Sequence, residues 1–273
     1  MKLNLRREFE QSRTAPGMGV AASASTHGRS VHFREAFAAN AVSPKVGGIN
    51  DDYGIYDAEP RLRVSHIVEQ SAGFHRLSRS PAKRLFDLVG SALGLAFLAP
   101  LLLATAAVIA LDSPGPVIFR QSRTGEGGKV FSIYKFRTMT VTENGHTIVQ
   151  ACRSDPRVTR VGHFLRRMSI DELPQLFNVL RGEMSLVGPR PHAVAHDVYY
   201  GERVAGYKNR FLAKPGITGL SQVRGLRGPT PSEDCMKLRL NSDMEYIRTW
   251  SFALDLKILI KTVFVSLWDV NAY

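Results

Sequence analysis

Between Leu85 and Leu111 the chain reads LFDLVGSALGLAFLAPLLLATAAVIAL, an apolar run with a single charge, Asp87, and a single proline, Pro100. About 20 such residues cross a bilayer as a helix, so the run belongs in lipid, and its length argues against a buried core helix. Two features oppose simple spanning. Pro100 lacks a backbone donor and clashes with the preceding turn, which predicts a kink or break well inside the run. Both flanks are basic: residues 1–84 carry 13 Lys and Arg against 8 acids, and residues 112–273 carry 23 against 15. Positive flanks favour the same, cytoplasmic side. A re-entrant helix that enters and leaves one leaflet satisfies both facts, with Lys83 and Arg84 anchoring its start near lipid phosphates. The positive-inside bias weakens for long flanking segments, so the residues alone leave re-entrant and spanning arrangements both open.

Around this run the chain divides into three parts: a polar arm over 1–79, the membrane helix over 80–112 and a globular domain over 113–273. The arm mixes Ala, Ser, Gly, Arg and acids without sustained periodicity, as a solvated, mobile tail does; Val31–Phe37 and Arg61–Val68 are its only weak patches of order. Gly17–Ala24 is too short and small for the apolar core of a secretory leader, so none is expected. Cys152 and Cys235 are too far apart to read as a metal pair or a disulfide framework, and two reduced thiols are expected. The formal net charge of +12 suits a phosphate-rich partner: nucleic acid, an anionic membrane or a phosphorylated substrate.

The domain begins with two expected strands, Val117–Arg120 and Val130–Arg137, joined by a glycine-containing loop. A short basic helix follows over Arg157–Arg167, with Val161, Phe164 and Leu165 at helical spacing and Arg166 and Arg167 placed to steer an anion. Lys214–Gly228 reads as a Gly- and Arg-rich loop that approaches an anion closely. Ser251–Val270 reads either as an amphipathic helix at the membrane interface or as an ordinary core helix. The expected fold is thus a small α/β catalytic domain attached to the membrane by a re-entrant helix and interfacial helices.

The chemistry concentrates in Ser169–Pro191, SIDELPQLFNVLRGEMSLVGPRP. Ser169 with Glu172 forms a potential capping box, while Pro174 favours a helix that starts at or beside Asp171, because proline is tolerated only in a first turn. Leu173, Leu176, Phe177 and Leu180 then share one face and Gly182 stops the helix. A helix start keeps Asp171 ionised and welcomes phosphate. A diphosphate reaches two carboxylates only when a cation screens them, and magnesium, with Glu172 as ligand, is the natural choice. Arg190, restrained between Pro189 and Pro191, offers a phosphate its planar fork of donors. Taken alone, an aspartate before an amphipathic helix is most often only a cap, and Lys135 and Asp243 are isolated charges on a solvated face.

SPAKRLFDLVGSALGLAFLAP, GPVIFRQSRTG, FSIYKFRTM, SIDELPQLFNVLRGEMSLVGPRP and KPGITGLSQVRG, in this order over 80–273, resemble the bacterial polyprenyl-phosphate sugar-1-phosphate transferases, or monotopic phosphoglycosyl transferases. The resemblance implies a re-entrant helix broken at Pro100, with both flanks cytoplasmic on the bacterial inner membrane. It implies Asp171 as nucleophile, Glu172 with Asp171 in Mg2+ binding, and Arg190, Lys135 and Asp243 as site charges; Arg166 joins them as a substrate-binding candidate. The implied reaction moves a sugar 1-phosphate from a UDP-sugar to undecaprenyl phosphate through a covalent aspartyl phosphosugar, releasing UMP and starting exopolysaccharide or related glycan synthesis. The carboxyl-terminal stretch is most similar to members that transfer glucose 1-phosphate, with galactose or N-acetylhexosamine 1-phosphate as alternatives. Many hexose-transferring relatives carry several spanning helices before this unit, whereas the arm here is polar. Nucleic acid is an unneeded partner on this reading; a second copy of the chain or polysaccharide-assembly proteins remain open. A rival class is a membrane-attached nucleotide- or nucleic-acid-binding protein without turnover.

Overall fold

The computed structural model describes residues 73–74, 77, 80–140, 155–228, 230 and 232–268, the last three of these by backbone alone. Most of the arm, and Cys152, lie outside the described residues; Cys235 is a free thiol. Phe74 and Leu77 pack against the main core, so the packed unit begins before residue 80.

The apolar run forms α1, Pro81–Asp112, a helix of 32 residues capped by the Ser80 side chain, which accepts from the Lys83 amide. At 1.5 Å per residue it is about 48 Å long. Of its most apolar 18 residues, 11 % are buried within the protein. Leu85, Val89, Leu93 and Phe97 recur every fourth residue and are exposed, Phe97 at 85 %. The helix continues through Pro100, so of the expected kink or break the break is absent, and a bend at the proline is compatible with an unbroken helix. Proline removes one donor, the one that would meet the Ala96 carbonyl, and packing at both ends carries the helix across that gap.

Lys83 and Arg84 do not face lipid phosphates. Lys83 is buried and donates to Asp255, at 2.7 Å, and to the Val187 carbonyl; Arg84 donates to the Val179 and Leu180 carbonyls. Asp87 accepts from the Ser185 hydroxyl and the Leu186 amide. These charges bolt the start of α1 to the domain because, once desolvated, each needs a partner inside the protein. The far end is held by the same domain: Ile109 packs with Phe136 and Leu165, and Arg137 donates to the Ile109, Ser113 and Pro114 carbonyls.

Strands β1, Ile118–Thr124, and β2, Val130–Phe136, form an antiparallel hairpin in which Phe119 faces Lys135. The helix α2, Arg160–Arg167, starts at Thr159, whose hydroxyl accepts from the Gly162 amide. A 3-10 helix, Ile170–Gln175, runs into α3, Leu176–Arg181, which ends at Gly182 with a positive φ of 84° as expected for a glycine stop. Two short strands follow, β3, Ser185–Val187, and β4, Gly216–Thr218, paired in parallel. Between them lie α4, Val194–Arg203, and a 3-10 helix, Tyr207–Leu212. The chain closes with α5, Leu220–Val223, α6, Glu233–Thr249, and α7, Phe252–Trp268. The fold mixes helix and strand, but among the described residues the two sheets have two strands each and helices dominate. The stretch read as one loop, Lys214–Gly228, in fact supplies β4 and α5.

In α7 the apolar residues Phe252, Leu256, Ile260, Val263 and Phe264 point outward, while Asp255 is fully buried. Asp255 accepts from Lys83, the Tyr246 hydroxyl and the Trp250 indole. The helix thus has two sides: Ile258 joins the main core with Leu254 and Leu259 packed against it, as a core helix would, while the outward apolar residues lie beside α1, to which Phe252 is joined by an edge contact with Phe86 at 4.9 Å. The main core lies beneath, built from Val187, Tyr207, Met236, Tyr246, Ile247 and Ile258 among others.

Candidate active site

The 3-10 helix that carries Asp171 and Glu172 is pinned to α1 on either side of Pro100. Ile170 at its start packs in one apolar cluster with Leu102, Ala106 and Ile109. Leu176, just past its end, lies against Gly94, where an added Cβ would touch its side chain at 3.5 Å. The expected α-helix start at Asp171 is not formed. Ser169 occupies the cap position with φ 56° and its side chain makes no capping bond, so Asp171 is the second helical residue. The tight 3-10 turns absorb Pro174, and the α-helix proper waits until Leu176. Phe177, expected on the packed face, is half exposed.

Glu172 is saturated with positive charge. Its Oε1 accepts from Lys135 at 2.8 Å and from Arg190 Nη2 at 2.6 Å, and its Oε2 from Arg190 Nη1 at 3.1 Å. Burial opposes its ionisation, but Arg190 and Lys135 outweigh that and hold the carboxyl well below the ordinary glutamate range. Arg190 is raised in turn, chiefly by Glu172. Lys135 projects from β2, which is locked to α3 by Asn178: its Oδ1 accepts from the Tyr134 amide and its Nδ2 donates to the Ser132 carbonyl.

Asp171, one residue away, behaves differently. Its carboxylate makes no hydrogen bond among the described residues, and only 8 % of the residue is exposed. Burial first, then the Glu172 charge, push it up to about 6, against the pull of Lys135, Arg166 and Arg190. At neutral pH it is mostly ionised, as expected, yet less comfortably than a helix start alone would suggest. A buried carboxylate that lacks hydrogen-bond partners is a better nucleophile than one held by donors, and it is also a ready ligand for a cation. Among the described residues no cluster of three His, Cys, Asp or Glu exists; one or two carboxylates completed by substrate phosphates is the donor set that magnesium uses. Asp171, with the lone pair left on Glu172 Oε2, fits it.

Arg190 is delivered by the parallel pair of β3 and β4. Gly188 and Gly216 let the two backbones meet: a Cβ on Gly216 would lie 2.0 Å from the Gly188 nitrogen. The Gly188 amide donates to Thr218 and the Gly216 amide to the Pro189 carbonyl, each at 2.9 Å. Two arginines, Arg210 buried and Arg123 half-buried, then grip the backbone of the loop. Arg210 donates to the Arg190 carbonyl at 2.6 Å and Arg123 reaches the Pro191 carbonyl at 3.5 Å.

The structure therefore brings Lys135, Asp171, Glu172 and Arg190 together, with Arg166 near enough to stabilise the Asp171 charge. Asp243 stands one layer back. It is buried on α6 and accepts from Arg210 at 2.9 Å, so it acts on Arg190 through Arg210. Burial raises it, against the opposing pull of Arg210. The sequence reading missed Arg123 and Arg210, together with Asp197, whose Oδ1 accepts from the Tyr207 hydroxyl at 2.6 Å. No spacing or local pattern marks them.

A family model described as bacterial sugar transferase matches residues 78–269. The chain belongs to the bacterial sugar transferase family. The match takes in every site residue just described. Among relatives, a Caulobacter vibrioides protein named UDP-glucose:undecaprenyl-phosphate glucose-1-phosphate transferase is 57 % identical over 191 residues, 70 % of this chain and 72 % of that one. An Escherichia coli K12 protein of the same name is 51 % identical over 191 residues, which is 41 % of its length. An Aeromonas hydrophila protein named UDP-N-acetylgalactosamine-undecaprenyl-phosphate N-acetylgalactosaminephosphotransferase is 40 % identical over 207 residues, 74 % of this chain and 48 % of that protein. Within this sugar transferase, the segment that carries the carboxylate pair packs against the apolar helix.

Proposed function

We propose that this protein transfers glucose 1-phosphate from UDP-glucose to undecaprenyl phosphate, releasing UMP and making the first lipid-linked intermediate of an exopolysaccharide or related glycan. One observation carries the chemistry: the Asp171 carboxylate is buried and free of hydrogen bonds among the described residues, beside a Glu172 already neutralised by Lys135 and Arg190. An Asp171 oxygen attacks the sugar-bearing phosphorus. The bond from that phosphorus to the bridging oxygen breaks, and UMP leaves with the electron pair. An oxygen of the lipid phosphate then attacks the same phosphorus and the aspartyl bond breaks, restoring the carboxylate. Dividing the displacement lets one site serve a soluble donor and a lipid acceptor in turn. Arg190, Lys135 and Arg166 supply positive charge where the transferring phosphoryl group gathers negative charge. Magnesium, held by Asp171 and Glu172 with the diphosphate, would screen the repulsion between carboxylates and phosphates.

Glucose is favoured over the alternatives because relatives named for it reach 51 and 57 % identity, against 40 % for the N-acetylgalactosamine relative. The topology proposed is re-entrant, with the domain on the cytoplasmic face of the inner membrane. It is supported by one domain holding both ends of α1, Lys83 to Asp255 at the start and Ile109 to Phe136 at the finish. The outward apolar residues of α7 support an interfacial seat for that helix.

The test is UMP release from a panel of UDP-sugars by the full chain in nanodiscs with undecaprenyl phosphate. UDP-glucose is expected to be used best, and sugar-labelled UDP-glucose to leave label on the protein when acceptor is withheld. Asp171→Asn is expected to lose both signals; release at the normal rate by that variant would sink the nucleophile assignment. Nucleotide binding with no turnover by the unmodified chain would instead return the protein to the binding class.

A further inference from the structure

The inward side of α2 is fully employed: Val161 and Leu165 pack with Leu102, Ala106 and Ile109 of α1. Its outward side is unusual. Arg160, His163, Phe164, Arg167 and Met168 are all exposed, and spacings of three and four put them on one face. Phe164 is 60 % exposed and Met168 41 %. No acid lies in this helix, and the guanidinium groups of Arg160, Arg166 and Arg167 make no hydrogen bond or ion pair among the described residues. A face of cations with an aromatic and a thioether between them is built neither for water nor for a protein core. It suits an amphiphile with an anionic head and an apolar tail.

We infer that this face of α2 receives the lipid acceptor, Phe164 and Met168 contacting the first isoprene units while the arginines attract the phosphate. The inference rests on the transfer reading given above. Two observations favour the acceptor over the nucleotide donor or the bilayer at large. Met168 is three residues before Asp171, so their α-carbons are at most about 11 Å apart, and Arg166, from the same helix, already acts on the Asp171 charge. The seat of α2 is the half of α1 whose Leu103, Val108 and Leu111 are exposed, so apolar side chains open to lipid flank the helix that carries Phe164. A nucleotide sugar has no apolar chain to place on Phe164.

The experiment uses the full chain in nanodiscs and compares Phe164→Ser, Met168→Ser and their combination with the unmodified protein. Both side chains are exposed, so little loss of fold is expected. In the double variant the KM for undecaprenyl phosphate is expected to rise about tenfold, a loss of roughly 1.4 kcal/mol of acceptor binding. Protein labelling by UDP-glucose without acceptor is expected to keep its rate. With geranyl phosphate, whose tail is too short to cover the face, the variant and the unmodified protein are expected to differ much less. An unchanged acceptor KM overturns the inference. So does a labelling rate that falls in step with turnover, which would assign the face to the donor. Weaker binding to acceptor-free vesicles with acceptor KM unchanged also overturns it and assigns the face to bulk lipid. Failure of the unmodified protein to release UMP would be recognisable separately, as failure of the transfer reading itself.

Discussion

Arg190 lays both terminal nitrogens of its guanidinium on the Glu172 carboxylate, at 2.6 and 3.1 Å. This bidentate pair, joined by Lys135, uses most of the acceptor capacity of Glu172 and leaves Asp171 without a donor of its own. Two adjacent carboxyls are thereby driven in opposite directions, Glu172 down and Asp171 up to about 6. Such a split separates a fixed anion from a reactive one.

The first prediction concerns pH. Only the ionised Asp171 attacks, so the rate of protein labelling by UDP-glucose is expected to fall about tenfold per pH unit below 6 and to level off above it. Glu172→Gln removes a repelling charge and frees two cations beside Asp171. The midpoint should move down by about one unit, alongside a loss of overall rate. An unmoved midpoint in single-turnover labelling would contradict the coupling between the two carboxyls.

Stability gives a second prediction with the opposite consequence. A carboxyl raised in the folded state binds its proton more tightly there than in the unfolded chain. Between about pH 4 and 6 folding therefore takes up a proton, and the contribution of Asp171 to stability is lost as pH rises through that window. Above pH 6 the charged form costs roughly 2–3 kcal/mol. Asp171→Asn removes that cost while keeping the shape, so the inactive variant should melt at a higher temperature than the unmodified protein at pH 7.5. The difference should shrink at pH 4.5. Equal melting temperatures at both pH values would count against the strained-carboxylate account.

A third prediction separates touching the substrate from positioning what touches it. Asp243 holds Arg210 at 2.9 Å and Arg210 holds the Arg190 carbonyl at 2.6 Å, so Asp243→Asn should loosen the Arg190 loop. We expect kcat/KM for UDP-glucose to fall on the order of tenfold to a hundredfold, with a lower melting temperature because Arg210 is left buried with a weaker partner. If Asp243 works through Arg190, the double variant Asp243→Asn with Arg190→Ala should be little worse than Arg190→Ala alone. Fully additive losses would show that Asp243 acts by another route.

The stretch from Asp171 to Arg190 was legible in the sequence because its signals are local: adjacent carboxylates, a glycine stop at Gly182 and prolines around the arginine. The hairpin, α2 and the apolar helix were legible for the same reason, each from its own periodicity. What escaped depends on distant partners. Ser169 takes a left-handed backbone that no cap rule anticipates, and Lys83 and Arg84 look like lipid anchors until Asp255 and the α3 carbonyls come within reach. Arg123 and Arg210 are invisible for the same reason, since their task is to hold carbonyls that only the β3–β4 pairing brings near.

The last prediction is topological. Lys83 at one end of α1 bonds Asp255, and Ile109 near the other packs on Phe136; both partners belong to the one domain. A helix of about 48 Å would exceed the roughly 30 Å hydrocarbon layer if it crossed upright, and crossing would then tear one of these attachments from the domain. Breaking the buried Lys83–Asp255 pair alone costs roughly 3–5 kcal/mol, because it strands a desolvated charge. Single cysteines at Ala82 and Pro116, both exposed positions, introduced after replacing Cys152 and Cys235 by serine, should therefore respond alike to an impermeant maleimide. Both should stay unlabelled in intact cells and both should label after permeabilisation. Labelling of one position alone in intact cells would mean that α1 spans the membrane, and the contacts at one of its ends would then have to be absent in the native state.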